Sequence, residues 1–231
     1  MKTVAILQSN YIPWKGNFDM IHMVDEFILY DDMQYTRRDW RNRNRIKTPA
    51  GPQWLTIPVD VKGKFTQKIK ETQVADHSWC RSHLRALEIN YAHAPFFHLY
   101  YDELARLYRD CETEDFLSRI NYRFLKAVCG FLSIDTKISW SWDYPQEEGK
   151  TERLASLVKA AGGDIYLSGP AAKDYIREEV FTRAGIGLTW MDYTGYPEYP
   201  QLYGNFVHEV SILDLLFHTG KEAPAFMKSW H

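Results

Sequence analysis

Short, nearly unbroken apolar runs alternate along this chain with longer stretches of helical spacing. Residues 3–8 (TVAILQ) and 26–33 (EFILYDDM) are apolar almost throughout, as parallel strands covered on both faces require. Pro13 and Gly16 break the chain between them, and residues 18–25 (FDMIHMVD) fit a short helix. Strand, loop, helix and strand within about thirty residues is the size of one βαβ unit.

Residues 53–61 (QWLTIPVDV) alternate well enough for a strand and follow the turn chemistry of TPAGP, so residues 40–61 predict a hairpin with a longer loop. Residues 82–93, 97–110 and 114–132 are helical; in the last, Phe116, Ile120, Phe124, Val128 and Phe131 share one face. Alternation then returns: a strand at 136–142, an amphipathic helix at 151–163 with Leu154, Leu157, Val158 and Ala161 inward, a strand at 164–170, a helix at 171–181, a strand at 185–193 and a glycine-capped helix at 211–220. The fold class is α/β: a mostly parallel sheet with Rossmann-like βα units, a basic β-hairpin and a helical middle segment. The 231 residues suit a single α/β domain over 1–231, with a helical segment at about 77–132 inserted between two α/β halves.

Composition narrows the function classes. With 45% hydrophobic and 25% charged residues the chain can bury a core, and a net charge of -2 argues against a general nucleic-acid coat or a membrane-surface protein. No apolar run is long enough to span a bilayer, and the N-terminus reads as a strand rather than a leader, so no membrane insertion is expected. Cys80, Cys111 and Cys129 are odd in number and lack CxxC spacing, which favours free thiols and a cytoplasmic location.

Charge is concentrated in DDMQYTRRDWRNRNRIKTPAG, residues 31–51. If residues 37–47 are extended, one face carries Arg37, Asp39, Arg41, Arg43, Arg45 and Lys47, and the other Arg38, Trp40, Asn42, Asn44 and Ile46. Arginines roughly 6–7 Å apart on that face repel by about 0.6 kcal/mol in water and about 2.5 kcal/mol at an effective dielectric near 20. In a cleft such a row calls for an anion, and guanidinium forks match phosphate oxygens. Trp40 could stack on a base or sugar. On an open surface the same row is a solvated edge strand defended by charge.

Other candidates gather at the carboxyl ends of strands, where open α/β sheets bind ligands. Gln8, Asn10, Tyr11, Trp14 and Lys15 follow the first strand; Asp31 and Asp32 end the second, with Gln34 and Tyr35 just beyond. One of the two acids would face the site as base or metal ligand, Mg²⁺ being the candidate cofactor, although salt bridges to the following arginines also explain them. Ser168, Gly169 and Lys173 offer an anion seat at a helix start, or simply a capped turn. His77, His83, His93 and His98 follow no ligand spacing, and GxGxxG, GxxxxGK[ST] and GxSxG are all missing.

The stretches LQSNYIPWKGNFDMI, VDEFILYDDMQYTRRDWRNRNRIKT and GPQWLTIPV resemble the opening of the WbqC-like family; KTERLASL, DIYLSGPAAKDYI and YPQLYGNFVHEVSILDLLFHTG resemble its closing half. Family-like positions are Gln8, Tyr11, Pro13, Trp14, Gly16, Asp31, Gln34, Tyr35, Arg38, Trp40, Asn42, Arg43 and Ile46, then Ser168, Gly169, Tyr175, Gln201, Phe206, Ser211 and Asp214. One departure is QSNY, where a proline is expected after the glutamine. The resemblance implies a role in glycan or modified-sugar biosynthesis and transfers no mechanism. The leading expectation is a cytoplasmic transferase acting on a sugar nucleotide or other phosphorylated substrate, the group acyl, aminoacyl or nucleotidyl. Gln8, Asp31 and Asp32 are its candidate catalytic residues, and Arg38, Arg41, Asn42, Arg43 and Arg45 help bind substrate. The alternative is a non-catalytic binder of nucleic acid or anionic glycan through the hairpin, or an assembly factor pairing it with an acidic partner.

Overall fold

A computed structural model describes residues 1–230. Its centre is a five-stranded, wholly parallel sheet in the order β5-β2-β1-β6-β7. The strands are β1 (Thr3–Leu7), β2 (Glu26–Leu29), β5 (Lys137–Trp140), β6 (Ile165–Ser168) and β7 (Gly187–Trp190). A separate antiparallel pair, β3 (Arg43–Thr48) and β4 (Gly51–Thr56), is the basic hairpin. The α/β class, the parallel sheet, the hairpin and the helical middle stand as the sequence indicates.

Period-two alternation splits the sheet's side chains between two cores. Ala5, Phe27 and Leu29 face α1 (Lys15–His22), whose Phe18, Met20 and Ile21 are buried against them. The same core takes in α2 (Trp79–Tyr91), α3 (Phe97–Asp110), α4 (Leu117–Phe131) and α7 (Ile212–Thr219). Val4, Ile6 and Ile28 face α5 (Lys150–Ala160), which inserts Leu154, Leu157 and Val158, and α6 (Glu178–Arg183), which inserts Phe181. Truncating Phe18, which has no exposed surface, would cost about 3–5 kcal/mol. The expected stripe on α4 is real at Ile120, Phe124 and Val128, all fully buried, while Phe116 and Phe131 lie at its margin. Ser211 caps α7 by accepting from the Leu213 N–H, and Gly220 ends it at φ +57°.

The connectivity fixes where a ligand can sit. From β1 the chain moves through α1 to β2 on one side, and from β5 it returns through α5 to β6 on the other. The crossovers use opposite faces, so the carboxyl ends of β1 and β6 part at a topological switch point.

Two local expectations are corrected. The hairpin is shorter than residues 40–61: it turns at Pro49 and Ala50, with Gly51 at φ +102°, and β4 ends at Thr56. The helix expected at 171–181 is a 3-10 turn, Pro170–Asp174, then a break before α6. The chain leaves helical geometry there to bury Ile176 and to donate the Arg177 N–H to Thr151 Oγ1 of α5 (3.3 Å).

Candidate functional site

The first crossover loop, residues 9–14, is held from every side. Asp31 is fully buried: Oδ1 accepts the Ser9 N–H (2.7 Å) and Oδ2 the Ser118 hydroxyl (2.5 Å). Asn121 of α4 donates to Ser9 Oγ and to the Arg41 carbonyl, both at 2.9 Å. Asn44 donates to the carbonyls of Tyr11 (3.1 Å) and Ile12 (2.9 Å). Ile12 sits at φ +36°, a conformation a β-branched residue adopts only under strain, of order 1–3 kcal/mol. Asn44 is therefore a brace for a strained loop. Trp14 lies so close over Gly16 that a Cβ there would meet its ring at 2.4 Å, which makes glycine a packing requirement.

These contacts decide the fate of the acids and of Tyr11. Burial pushes the Asp31 carboxyl up against the hydrogen bonds from Ser118 and Ser9 and the nearby Arg41 charge. Asp32 accepts from Ser141 Oγ at 2.5 Å. Neither acid lines the cavities described below, and among the described residues no group of three or more His, Cys, Asp or Glu could hold a metal ion. Tyr11 turns into the core, its hydroxyl between His83 Nδ1 (2.9 Å) and Tyr108 (2.7 Å). Burial lowers His83 to about 4, so it is neutral there. Cys80, Cys111 and Cys129 are free and buried, and burial raises each thiol to about 12, which leaves none of them as a ready nucleophile.

The arginine row is brought to the crossover loop but is not a free cluster. Extension starts only at Arg43, because residues 36–41 turn through Arg38 at φ +59°. Trp40 accordingly stands on the arginine side, not the asparagine side, with Trp54 at 5.3 Å and the Arg45 guanidinium at 5.7 Å. Arg41 bonds Asn10 Oδ1 and lies 3.6 Å from Asp39. Arg43 bonds the Arg38 carbonyl and lies 4.1 Å from the Trp54 ring centre. Arg45 pairs with Glu209 at 2.5 Å. Lys47 is buried, donating to Gln201 Oε1 (3.0 Å) and the Asn205 carbonyl (2.6 Å). Gln201 in turn donates to Asp214, which also accepts from Tyr91 and Tyr199. Asn42 and Tyr35 are buried as well, Asn42 donating to the Ile57 carbonyl. Lys15 lies under Tyr196 and Tyr199 and donates to the Pro197 carbonyl (2.7 Å); burial lowers it to about 8.

Two cavities flank the loop. The hairpin cavity, about 350 Å³, has Asn10, Pro13, Trp14, Trp40, Arg45 and Glu209 in its walls. Its cation and its acid neutralise each other. The second, about 610 Å³, is the crevice at the switch point, with Gln8, Tyr30, Gln34, Lys150, Arg153 and Tyr166 among its walls. Lys150 and Arg153 come from the first turn of α5, and among the described residues no carboxylate lines this crevice. Burial raises the Tyr30 hydroxyl to about 12, with Arg153 pulling the other way. Glu152 lies in the same turn but pairs with Arg177. Gln8 opens on the crevice and Asn10 on the hairpin cavity, so the two linings are within roughly 7 Å of chain.

Of the expected Ser168, Gly169 and Lys173, the structure brings none into the crevice. Ser168 bonds Tyr166 (3.3 Å), Gly169 lines neither cavity and Lys173 lies over Trp190 (5.4 Å). Lys150, Arg153, Tyr30 and Tyr175 were not among the expected site residues. The signal for the first two was the helix joining β5 to β6: its first turn opens on the switch point.

A model of the WbqC-like protein family matches residues 8–226. The chain is 55% identical over 228 residues to uncharacterized protein Rv1507c of Mycobacterium tuberculosis (strain ATCC 25618 / H37Rv), covering 99% of this chain and 98% of that one. No solved structure matches. With nearly its whole length matched, from the first crossover loop to the segment after α7, the chain belongs to the WbqC-like protein family.

Proposed function

We propose that this protein is a transferase that seats a sugar nucleotide or other phosphorylated substrate in the switch-point crevice. One observation carries the reading: Lys150 and Arg153 enter the crevice from the start of α5 with no carboxylate in its walls. Two uncompensated cations at the positive end of a helix favour an anion, and the tyrosines give the apolar remainder a surface. The phosphate seat is put at α5 rather than at the hairpin, where Arg41 and Arg45 have Asp39 and Glu209 beside them. A second substrate would enter through the hairpin cavity and meet the first across the turn between Gln8 and Asn10. Gln8 then orients the reacting groups, and Asp31 acts as a positioning residue. A cytoplasmic setting suits three free, buried thiols.

The test is a thermal-shift screen of nucleoside diphosphates and nucleotide sugars on the wild type and on Lys150→Ala/Arg153→Ala. A ligand that binds the native state raises its melting temperature by mass action. A shift lost in the double variant supports the reading; a shift unchanged in it refutes the crevice. The half-exposed Trp40 and Trp54 beside Arg43 and Arg45 favour a second reading, a binder of single-stranded nucleic acid or anionic glycan. That reading requires affinity to fall steeply with salt, whereas two cations in a crevice give a shallow slope.

A further inference from the structure

A third cavity, about 350 Å³, shares no wall with the other two and is lined by Lys70, Phe116, Ser118, Arg119, Trp140 and Trp142. It lies where β5 ends and α4 begins. The two tryptophans stack, ring centres 4.5 Å apart and planes 14° from parallel, and Tyr122 packs on Trp140 at 5.2 Å. The Lys70 ammonium sits 4.9 Å from the centre of the Trp142 ring and has no carboxylate within ion-pair distance among the described residues. Arg119 is two-thirds exposed and 3.9 Å from Glu114, whose closer partner is Arg123 at 2.9 Å.

The floor is rigid. The Lys70 N–H donates to the Asp31 carbonyl (2.8 Å), and Ser118 donates to the Asp31 carboxylate (2.5 Å), so the cavity is pinned to the end of β2. Asp143 accepts the Trp140 N–H at 2.9 Å. Among the described residues no acid lines the cavity, so the charge in its walls is positive. The aromatic pair is sandwiched: Tyr122 contacts Trp140, and Lys70 covers Trp142. The indole faces are thus taken up within the protein, and the Arg119 guanidinium lies 5.0 Å from the centre of the Phe116 ring. What remains is indole edge, the part of the Phe116 ring that Arg119 leaves open, and two cations, a lining that suits a compact ring carrying an anion.

We propose that this cavity binds a sugar acid or sugar phosphate, with Lys70 and Arg119 holding the anionic group and Trp142 and Phe116 the ring. The proposal is independent of the crevice reading. Its test uses full-length protein labelled with 5-fluorotryptophan, the signals of Trp140 and Trp142 assigned through Trp140→Phe and Trp142→Phe. Glucuronate, glucose 6-phosphate, glucose, inorganic phosphate and AMP are titrated separately, and again in Lys150→Ala/Arg153→Ala to remove the crevice's contribution. Saturable movement of both signals by glucuronate or glucose 6-phosphate, in both backgrounds, supports the proposal; which of them binds tighter tells carboxylate from phosphate. Lys70→Gln and Arg119→Gln should each weaken that binding roughly tenfold. No movement with either sugar anion, equal movement with glucose, inorganic phosphate or AMP, or undiminished affinity in both glutamine variants would overturn it.

Discussion

The hairpin and the start of α5 both bring positive charge to the first crossover loop, and they use it differently. On the hairpin four cations have contacts within the protein: Asn10 and Asp39 for Arg41, the Arg38 carbonyl and Trp54 for Arg43, Glu209 for Arg45, Gln201 for Lys47. In the crevice, Arg153 reaches the Glu147 carbonyl (3.2 Å), but neither it nor Lys150 has an ion-pair partner among the described residues. Local density of charge is therefore a poor guide to an anion site. What separates the two regions is the acid beside the cations: Asp39 and Glu209 at the hairpin, and none among the described residues in the crevice walls.

The largest effect should come from Asp31, which holds Ser9 between Gln8 and Asn10. Asp31→Ala leaves the Ser9 N–H and the Ser118 hydroxyl without their buried acceptor, at a cost of about 3 kcal/mol, read as a lower urea midpoint with unchanged slope. Lys47→Ala should cost about 2 kcal/mol by the same measurement, because Gln201 and the Asn205 carbonyl lose a buried donor. Gly16→Ala should cost about 1–3 kcal/mol by forcing Trp14 aside, and should disturb the hairpin cavity while leaving crevice binding intact.

Arg45→Ala and Arg43→Ala should each cost about 1 kcal/mol or less, since an exposed ion pair and a cation–aromatic contact are weak. A larger loss at Arg45 than at Lys47 would break the distinction between spent surface charge and buried structural charge. A separate effect is a pH slope. Burial lowers Lys15 in the folded protein to about 8, below its ordinary 10.5, so between these values the unfolded chain holds more protons. Stability relative to Lys15→Met should rise as pH goes from 8 to 10; a flat difference would mean that Lys15 keeps its charge.

Much of the fold was legible because it rests on periodicity. Continuous apolar runs gave the parallel strands, and Leu154, Leu157 and Val158 gave the buried face of α5. The hairpin's inward asparagines were legible as a face, but not as braces: nothing local says that Asn44 satisfies carbonyls of a loop more than thirty residues away. Trp40 was put on the wrong face because period two was extended through Arg38, whose positive φ resets the register. Tyr11 and Asp31 looked like site residues because they flank the ligand edge, yet tertiary contacts with α2, α3 and α4 claim them. The helix at 151–163 was legible by its apolar face alone, which says nothing of Arg153 and leaves Lys150 before its start. Only the strand order, with β6 beside β1, shows that the first turn of α5 overlooks a switch point.

The central claim is most directly tested by titrating one nucleoside diphosphate, UDP or ADP as the screen selects, into the wild type, Lys150→Ala/Arg153→Ala and Arg43→Ala/Arg45→Ala at one salt concentration. Losing charge-assisted contacts in the crevice should weaken binding roughly ten- to a hundredfold, and the hairpin variant should stay within about threefold of wild type. The reverse order, hairpin variant impaired and crevice variant intact, would contradict the account.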